Sequence, residues 1–361
     1  MSDYMRWAKT RQKARFTLAR SGIVPLPIDE LGARWEDLAL ETPGYGWEPL
    51  REAIGAMYGV APERIVTAAG TSGANHLVLA TLVARGDRVV VETPVYDPVT
   101  ALLSHLGAVV VPLVRRADRG FAVEPGELDR ALRSGAKLAV LTNLHNPSSA
   151  AIDSGTLEDI GKVAAHHGAR VLLDEVYLDA AFEDAPPSAA TLGDTFVVTS
   201  SLTKTCGLGG LRAGWIVSDP GLAGRLWDTK NLFGVDDAHV AERLALVGLR
   251  ERPRLLARTR AILNANRASW NTFLAQRGAD LDVAPSRFGT TAFPRVLRGS
   301  ADALASILRE RYETSIVPGR FFGAPEHVRI GFSCTTDEFP EGLRRLGLAL
   351  EDLHGHARKG V

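Results

Sequence analysis

A chain of 361 residues exceeds the roughly 250–300 residues that one hydrophobic core supports, and fits a large domain joined to a smaller one. Its apolar fraction of 45% and charged fraction of 23% are those of a globular protein, and 42 basic against 42 acidic side chains leave no field to draw in nucleic acid. The two cysteines, Cys206 and Cys334, are too few for a disulfide framework and lack metal-ligand spacing, as expected of buried thiols in a cytoplasmic protein.

The first twenty residues carry Arg6, Lys9, Arg11, Lys13, Arg15 and Arg20, but no apolar stretch follows. A secretory signal needs roughly 7–15 apolar residues and a membrane span about 20, so a basic first helix on the protein's own surface is expected, with a transit peptide as the alternative. Further on, Val66-Thr67-Ala68-Ala69 reads as a strand and Gly70-Thr71-Ser72-Gly73 leads into a helix over Ala74–Arg85. Small residues at a helix N-terminus offer backbone N–H groups and a dipole to an anion, or a plain Ser/Thr cap.

The continuously apolar runs Arg88–Glu92, Ala108–Leu113, Lys137–Thr142, Arg170–Glu175, Thr195–Ser200 and Ala213–Ser218 read as fully buried strands. Helical spacing fills the gaps at Val95–Gly107 and Ser154–Gly168. Strand–helix alternation predicts an α/β fold: a mostly parallel central sheet with helices on both faces. Ligands of such sheets gather beyond the carboxyl ends of the strands. After about residue 220 long helical stretches take over, then strand-like Thr290–Pro294 and Val328–Phe332 and a last helix over Glu338–His354. The expected division is a large domain over 44–250 and a small α+β domain made of 1–43 and 251–361.

The residues just after each strand carry the chemistry. Tyr96 follows Thr93-Pro94 and could stack on a flat ring. Asn146, held extended by Pro147, could donate to an anionic ring oxygen, whereas His145 reads as a packed histidine. Asp174 ends an apolar strand and needs a cationic or donor partner; a protonated pyridine nitrogen would serve. Ser201-Leu202-Thr203-Lys204 precedes a glycine-rich stretch ending in Arg212. A desolvated Lys204 could attack a carbonyl, while Ser201, Thr203 and Arg212 could hold a phosphate. A dinucleotide fingerprint at Gly207-Leu208-Gly209-Gly210 fails, because its last glycine falls on Arg212.

In this order the motifs resemble those of fold-type I pyridoxal phosphate (PLP) enzymes, and among them the class I/II aminotransferases, over nearly the whole chain. Pro318-Gly319-Arg320-Phe321-Phe322 and Val328-Arg329-Ile330 complete the set. The resemblance implies that Lys204 forms the internal aldimine and that Asp174 pairs with the pyridinium nitrogen. It implies that Asn146 and Tyr177 bond the ring oxygen, Tyr96 stacks on the ring, and Thr71, Ser72, Ser201 and Arg212 bind the phosphate. Arg329, with Asn146, would hold a substrate α-carboxylate. It also implies a homodimer with shared active sites acting on an amino acid and a 2-oxo acid. Departures are Asn146-Pro147-Ser148-Ser149, where the family often has Asn-Pro-Thr-Gly, and Glu41, where it has a tyrosine that reaches the partner's phosphate. Either Tyr45 or no residue substitutes for it. The segment Asn231–His239 occupies the region that in relatives often faces the partner's active site, so Asp236, Asp237 and His239 either set substrate choice or belong to a solvated loop. The expected activity is transamination. The alternatives are a lyase, decarboxylase or amino-acid cyclase of the capreomycidine synthase kind, or a non-catalytic PLP-sensing module.

Overall fold

The computed structural model describes residues 1–10, 14–41 and 44–357, so Arg11 and Lys13 of the basic N-terminal segment lie outside the described residues. Its largest sheet contains β1 (Ile65–Ala69), β2 (Arg88–Thr93), β3 (Val109–Val114), β4 (Leu138–Thr142), β5 (Arg170–Asp174), β6 (Phe196–Ser201) and β7 (Ala213–Val217). Their spatial order is β1-β7-β6-β5-β4-β2-β3. β7 runs antiparallel to β1 and β6, and the other pairs are parallel.

The inner strands are apolar through their middles on both sides because each face has its own core. Ala139, Leu141, Val171, Leu173 and Val198 pack under Leu50 and Ile54 of the helix Glu48–Tyr58 and Leu157 and Ile160 of the helix Ser154–His166. Their neighbours Leu138, Val140, Leu172, Val197 and Ile216 pack on the other face under Ala74, Leu77 and Val78 of the helix Gly70–Leu82 and Leu226 of the helix Pro220–Asn231. Each such valine, leucine or isoleucine contributes about 1.5–3 kcal/mol on burial.

One expectation of full burial is corrected. β3 is the edge strand, bonded only to β2 in this sheet, and Val109, Val110 and Val114 are 48%, 38% and 59% exposed. Apolar composition alone does not distinguish an edge from a centre. Pro112, which has no N–H to donate, is compatible with an edge position.

A further core joins both ends of the chain. Leu18 and Ile23 pack with Leu263 and Trp270 of the helix Arg252–Arg277, Leu304 and Leu308 of Ala301–Tyr312, and Phe339, Leu343 and Leu346 of Glu338–Ala357. Phe16–Thr17 pairs parallel with Thr314–Ser315, and the N–H of Gly331 donates to the carbonyl of Leu18 at 2.6 Å. Residues 16–24 therefore run from Thr314–Ser315 past the end of the late strand Val328–Gly331. Among the described residues no helix is long and apolar enough to cross a membrane.

Because β7 is antiparallel to its neighbours, its first residue, Ala213, pairs with Ala69 at the end of β1. The loops after β1, β2, β4, β5 and β6 and the loop before β7 thus meet at one edge. Gly214 makes this approach possible: a Cβ there would lie 2.5 Å from the carbonyl carbon of Gly70 and 2.9 Å from the amide nitrogen of Thr71. Gly214→Ala should lower the apparent free energy of unfolding by about 1–3 kcal/mol in urea denaturation. Gly224→Ala, with nothing within 4 Å on a helix, should raise it by up to about 1 kcal/mol.

Candidate active site

Strand alternation sends Asp174 into the cleft at that edge and Glu175 to the opposite face, where a cavity of about 610 Å³ is lined by Glu175, Tyr58 and Arg252 among others. Asp174 Oδ1 accepts the backbone N–H of Val176 at 3.0 Å, and Oδ2 accepts an amide N–H of Asn75 at 2.8 Å. Burial raises its pKa; those two hydrogen bonds and the positive charge of Lys204 oppose the rise.

Lys204 follows β6 through a tight turn. Its Nζ lies 3.4 Å from Ser21 Oγ and 5.9 Å from the ring centre of Tyr177, whose hydroxyl donates to the same Ser21 Oγ at 2.9 Å. Asn146 and Tyr96 line the cleft. Tyr96 meets Tyr4 edge-on at 5.2 Å, and burial pushes its phenol pKa up. Arg329 is buried behind Asn146: one terminal nitrogen donates to Asn146 Oδ1 at 3.0 Å, the other to the carbonyl of Ala19 at 2.9 Å and to Tyr4 at 3.2 Å. Its Nε is buried and has no hydrogen-bond partner among the described residues.

On the other side of Lys204 stands an anion cradle. The helix Gly70–Leu82 begins without a side-chain cap, which leaves its first N–H groups available. Thr71 Oγ1 donates to Ser201 Oγ at 2.8 Å, and Ser201 Oγ lies 2.7 Å from Thr203 Oγ1. Thr71, Ser72, Thr203 and Arg212 face the cleft, while Ser201 is buried behind Thr71. Arg212 sits in the left-handed region at φ 52° and donates to the carbonyls of Ala69 and Gly209. Gly70 lies in the left-handed region at φ 70°, where another residue would be strained, and a Cβ there would fall 2.4 Å from the Arg212 guanidinium and push it aside. Backbone N–H groups, hydroxyls and a guanidinium suit a phosphate; a carboxylate and an amine near it suit a pyridine ring bearing an aldehyde. The donor set fits PLP.

Other sequence candidates lie elsewhere. Tyr45 is 58% exposed and rests against Trp227. Asp237 pairs with Lys230 at 2.6 Å, His239 is buried edge-on to Trp47, and Asp236 does not line the cleft. His145 is buried between Ser148 Oγ at 2.7 Å and the carbonyl of Pro94 at 2.9 Å; burial, then the charge of Arg115, holds its pKa well below 6.5. Sequence reasoning missed Tyr4, Ser21 and Asn75, which all line the cleft. An amide one turn after Thr71, on a helix that is otherwise apolar towards the sheet, was a readable signal for Asn75. Tyr4 and Ser21 offered none, because only the fold brings them in.

The chain belongs to the class I and II aminotransferases: the family's sequence model matches residues 36–346. It is 32% identical to a capreomycidine synthase of Streptomyces vinaceus, over 98% of this chain and 93% of that one. It is 28% identical to an arginine–pyruvate transaminase of Pseudomonas aeruginosa, over 82% and 77%. Among solved structures it matches the PLP-dependent cyclase OrfR with a TM-score of 0.89 and 25% identity, over 97% of both chains. The family is PLP-dependent, and its fold is the one described above.

Glu175, next to Asp174 in sequence, provides a test of the sheet's reverse face. Burial raises its pKa from 4.5 to about 7, against hydrogen bonds from Ser188 at 2.6 Å and the Ala189 N–H at 2.9 Å. A folded-state pKa above the unfolded one means that the folded state binds the proton more tightly between those values. Stability present below pH 4.5 is therefore lost as pH rises through 7. Glu175→Gln should remove that loss, which is at most about 3 kcal/mol, in urea denaturations at roughly pH 5 and pH 7.5.

Proposed function

We propose, from that family membership, that this protein is a PLP-dependent aminotransferase moving an amino group between an amino acid and a 2-oxo acid. The observation supporting it is the convergence of Lys204, Asp174, Asn146, Tyr177, Tyr96 and the phosphate-type cradle on one cleft. Bound there, PLP supplies a carbonyl that condenses with amines and a ring that draws electrons from the substrate's α-carbon. Thr71, Ser72, Ser201 and Arg212 would hold its phosphate, Asp174 its ring nitrogen, Asn146 and Tyr177 its ring oxygen and Tyr96 its face, and Lys204 would bond its carbonyl carbon until a substrate amine replaces it.

The chain's own groups then do the following. Arg329 binds the substrate α-carboxylate, a planar fork meeting a planar anion. Its bonds to Asn146, Ala19 and Tyr4 fix the guanidinium before substrate arrives. Lys204 Nζ takes the proton from the substrate's α-carbon. Ser21 Oγ lies within reach of Lys204 Nζ and accepts from Tyr177, so it steers the amine towards the cleft. The proton held by Lys204 would pass to the cofactor's former carbonyl carbon. Water would release one oxo acid while the amino group stays with the cofactor. A second oxo acid would take it up with loss of water, and the kinetics would be ping-pong.

A second reading, side-chain cyclisation after the same proton removal, is supported by the likeness to capreomycidine synthase over nearly the whole chain and to the cyclase OrfR. Elimination or decarboxylation would use the same cofactor residues. We assign the site to a cytoplasmic homodimer: Leu232, Phe233 and Val235 are 81%, 64% and 64% exposed, and Phe233 meets the cleft residue His76 edge-on at 5.4 Å. A second copy would bury that patch, so sedimentation should report a dimer, and Phe233→Asp should weaken it.

The deciding experiment incubates the purified protein with single amino acids and reads products by mass spectrometry. Transamination predicts a 2-oxo acid and conversion of bound PLP to its pyridoxamine form; a cyclised product without oxo acid selects the second reading. Borohydride should attach the cofactor to Lys204, and Lys204→Ala should lose both attachment and turnover. Turnover undiminished in Lys204→Ala would overturn the assignment.

A further inference from the structure

Asn75 joins two residues that face each other across the sheet. Asp174 ends β5, and its register partner on β6 is Thr199, which is fully buried. The Asn75 amide, on the helix Gly70–Leu82 above them, donates from Nδ2 to Asp174 Oδ2 at 2.8 Å and accepts at Oδ1 from Thr199 Oγ1 at 2.6 Å.

This arrangement has one consistent set of donors and acceptors. An ionised carboxylate only accepts, so the amide must turn its NH₂ towards Asp174. Its oxygen then needs a donor on the far side, and the Thr199 hydroxyl is placed to be that donor. Turned the other way, amide oxygen and carboxylate oxygen would face each other as two acceptors. Thr199 thus sets the amide's direction, and the amide favours the charged form of Asp174. The second carboxylate oxygen is held by the Val176 N–H at 3.0 Å, which fixes the plane of the group. Two donors from the protein still leave lone pairs on the carboxylate, and it opens onto the cleft.

We infer that Asn75, directed by Thr199, is the positioning residue that keeps Asp174 ionised and aimed at the cofactor's ring nitrogen. The inference rests on the PLP reading given above and adds to it a residue that acts only through Asp174.

Binding of the cofactor alone tests it, without turnover. Cofactor-free wild type, Asn75→Leu and Thr199→Val are titrated with PLP and with 1-deazapyridoxal phosphate, in which C–H replaces the ring nitrogen. Asn75→Leu should weaken PLP about tenfold or more, the size of a lost hydrogen bond to a charged group. It should leave the deaza analogue within about a factor of two, because that analogue offers Asp174 no partner whose binding the amide could improve. Thr199→Val keeps the amide but frees its direction, and should show a smaller loss, about threefold, again for PLP alone. Should Asn75→Leu fail to fold, Thr199→Val carries the comparison. Equal losses with both ligands would mean that Asn75 only supports the helix, and no loss with either would mean that it does not act on Asp174; each overturns the inference. Failure of wild type to bind PLP would instead overturn the reading on which it rests.

Discussion

An acid at the end of a strand buried on both faces is the constraint around which the rest of the site is arranged. Asp174 follows Leu172 and Leu173, both inaccessible to solvent, and burial alone would drive its carboxyl towards the neutral form. Neighbouring residues answer that cost in distinct ways: an N–H from its own turn, an amide from the helix above, and the charge of Lys204 from the turn after the next strand. These partners can converge only because β5 and β6 are parallel neighbours whose carboxyl ends share an edge.

The N-terminal segment has a second structural role. Residues 16–24 run past the end of the late strand, and their backbone gives Arg329 its acceptor at Ala19 while their side chains bring Ser21 to Lys204. Tyr4, from the helix Asp3–Thr10, packs on Tyr96, Phe321 and Phe322 and reaches the same arginine. Three groups from distant parts of the chain engage the two terminal nitrogens of this buried guanidinium, which offsets part of the cost of its burial. The surroundings of Arg329 are thus assembled from both ends of the sequence.

Within a family that shares a cofactor, the site described here belongs to the steps the members have in common. On the function proposed above, Asp174, Lys204 and the phosphate cradle would serve any reaction that starts by taking a proton from an α-carbon. What separates an amino-group transfer from a ring closure is the contact made by the rest of the substrate. Of the cleft-lining groups, His76 belongs to neither the cradle nor the Asp174 network.

The sequence by itself determined the strands, their order along the chain, and the residues that follow each one. Those features are local: continuous apolar runs report burial on both faces, and a motif after a strand stays at that strand's end however the sheet is ordered. Thr71, Tyr96, Asn146, Asp174, Tyr177, Lys204 and Arg212 were legible for this reason, and the structure brings them to one cleft. Tertiary structure alone decided which strand is the edge, so β3 carried the apolar composition of a core strand but exposes its valines. It also decided the partners: Asn75 and Thr199 for Asp174, Ser21 for Lys204 and Tyr177, Ala19 and Tyr4 for Arg329. Hydrogen bonds between residues separated by 99 to 325 positions leave no periodicity to read, because distance along the chain places no limit on distance in the fold.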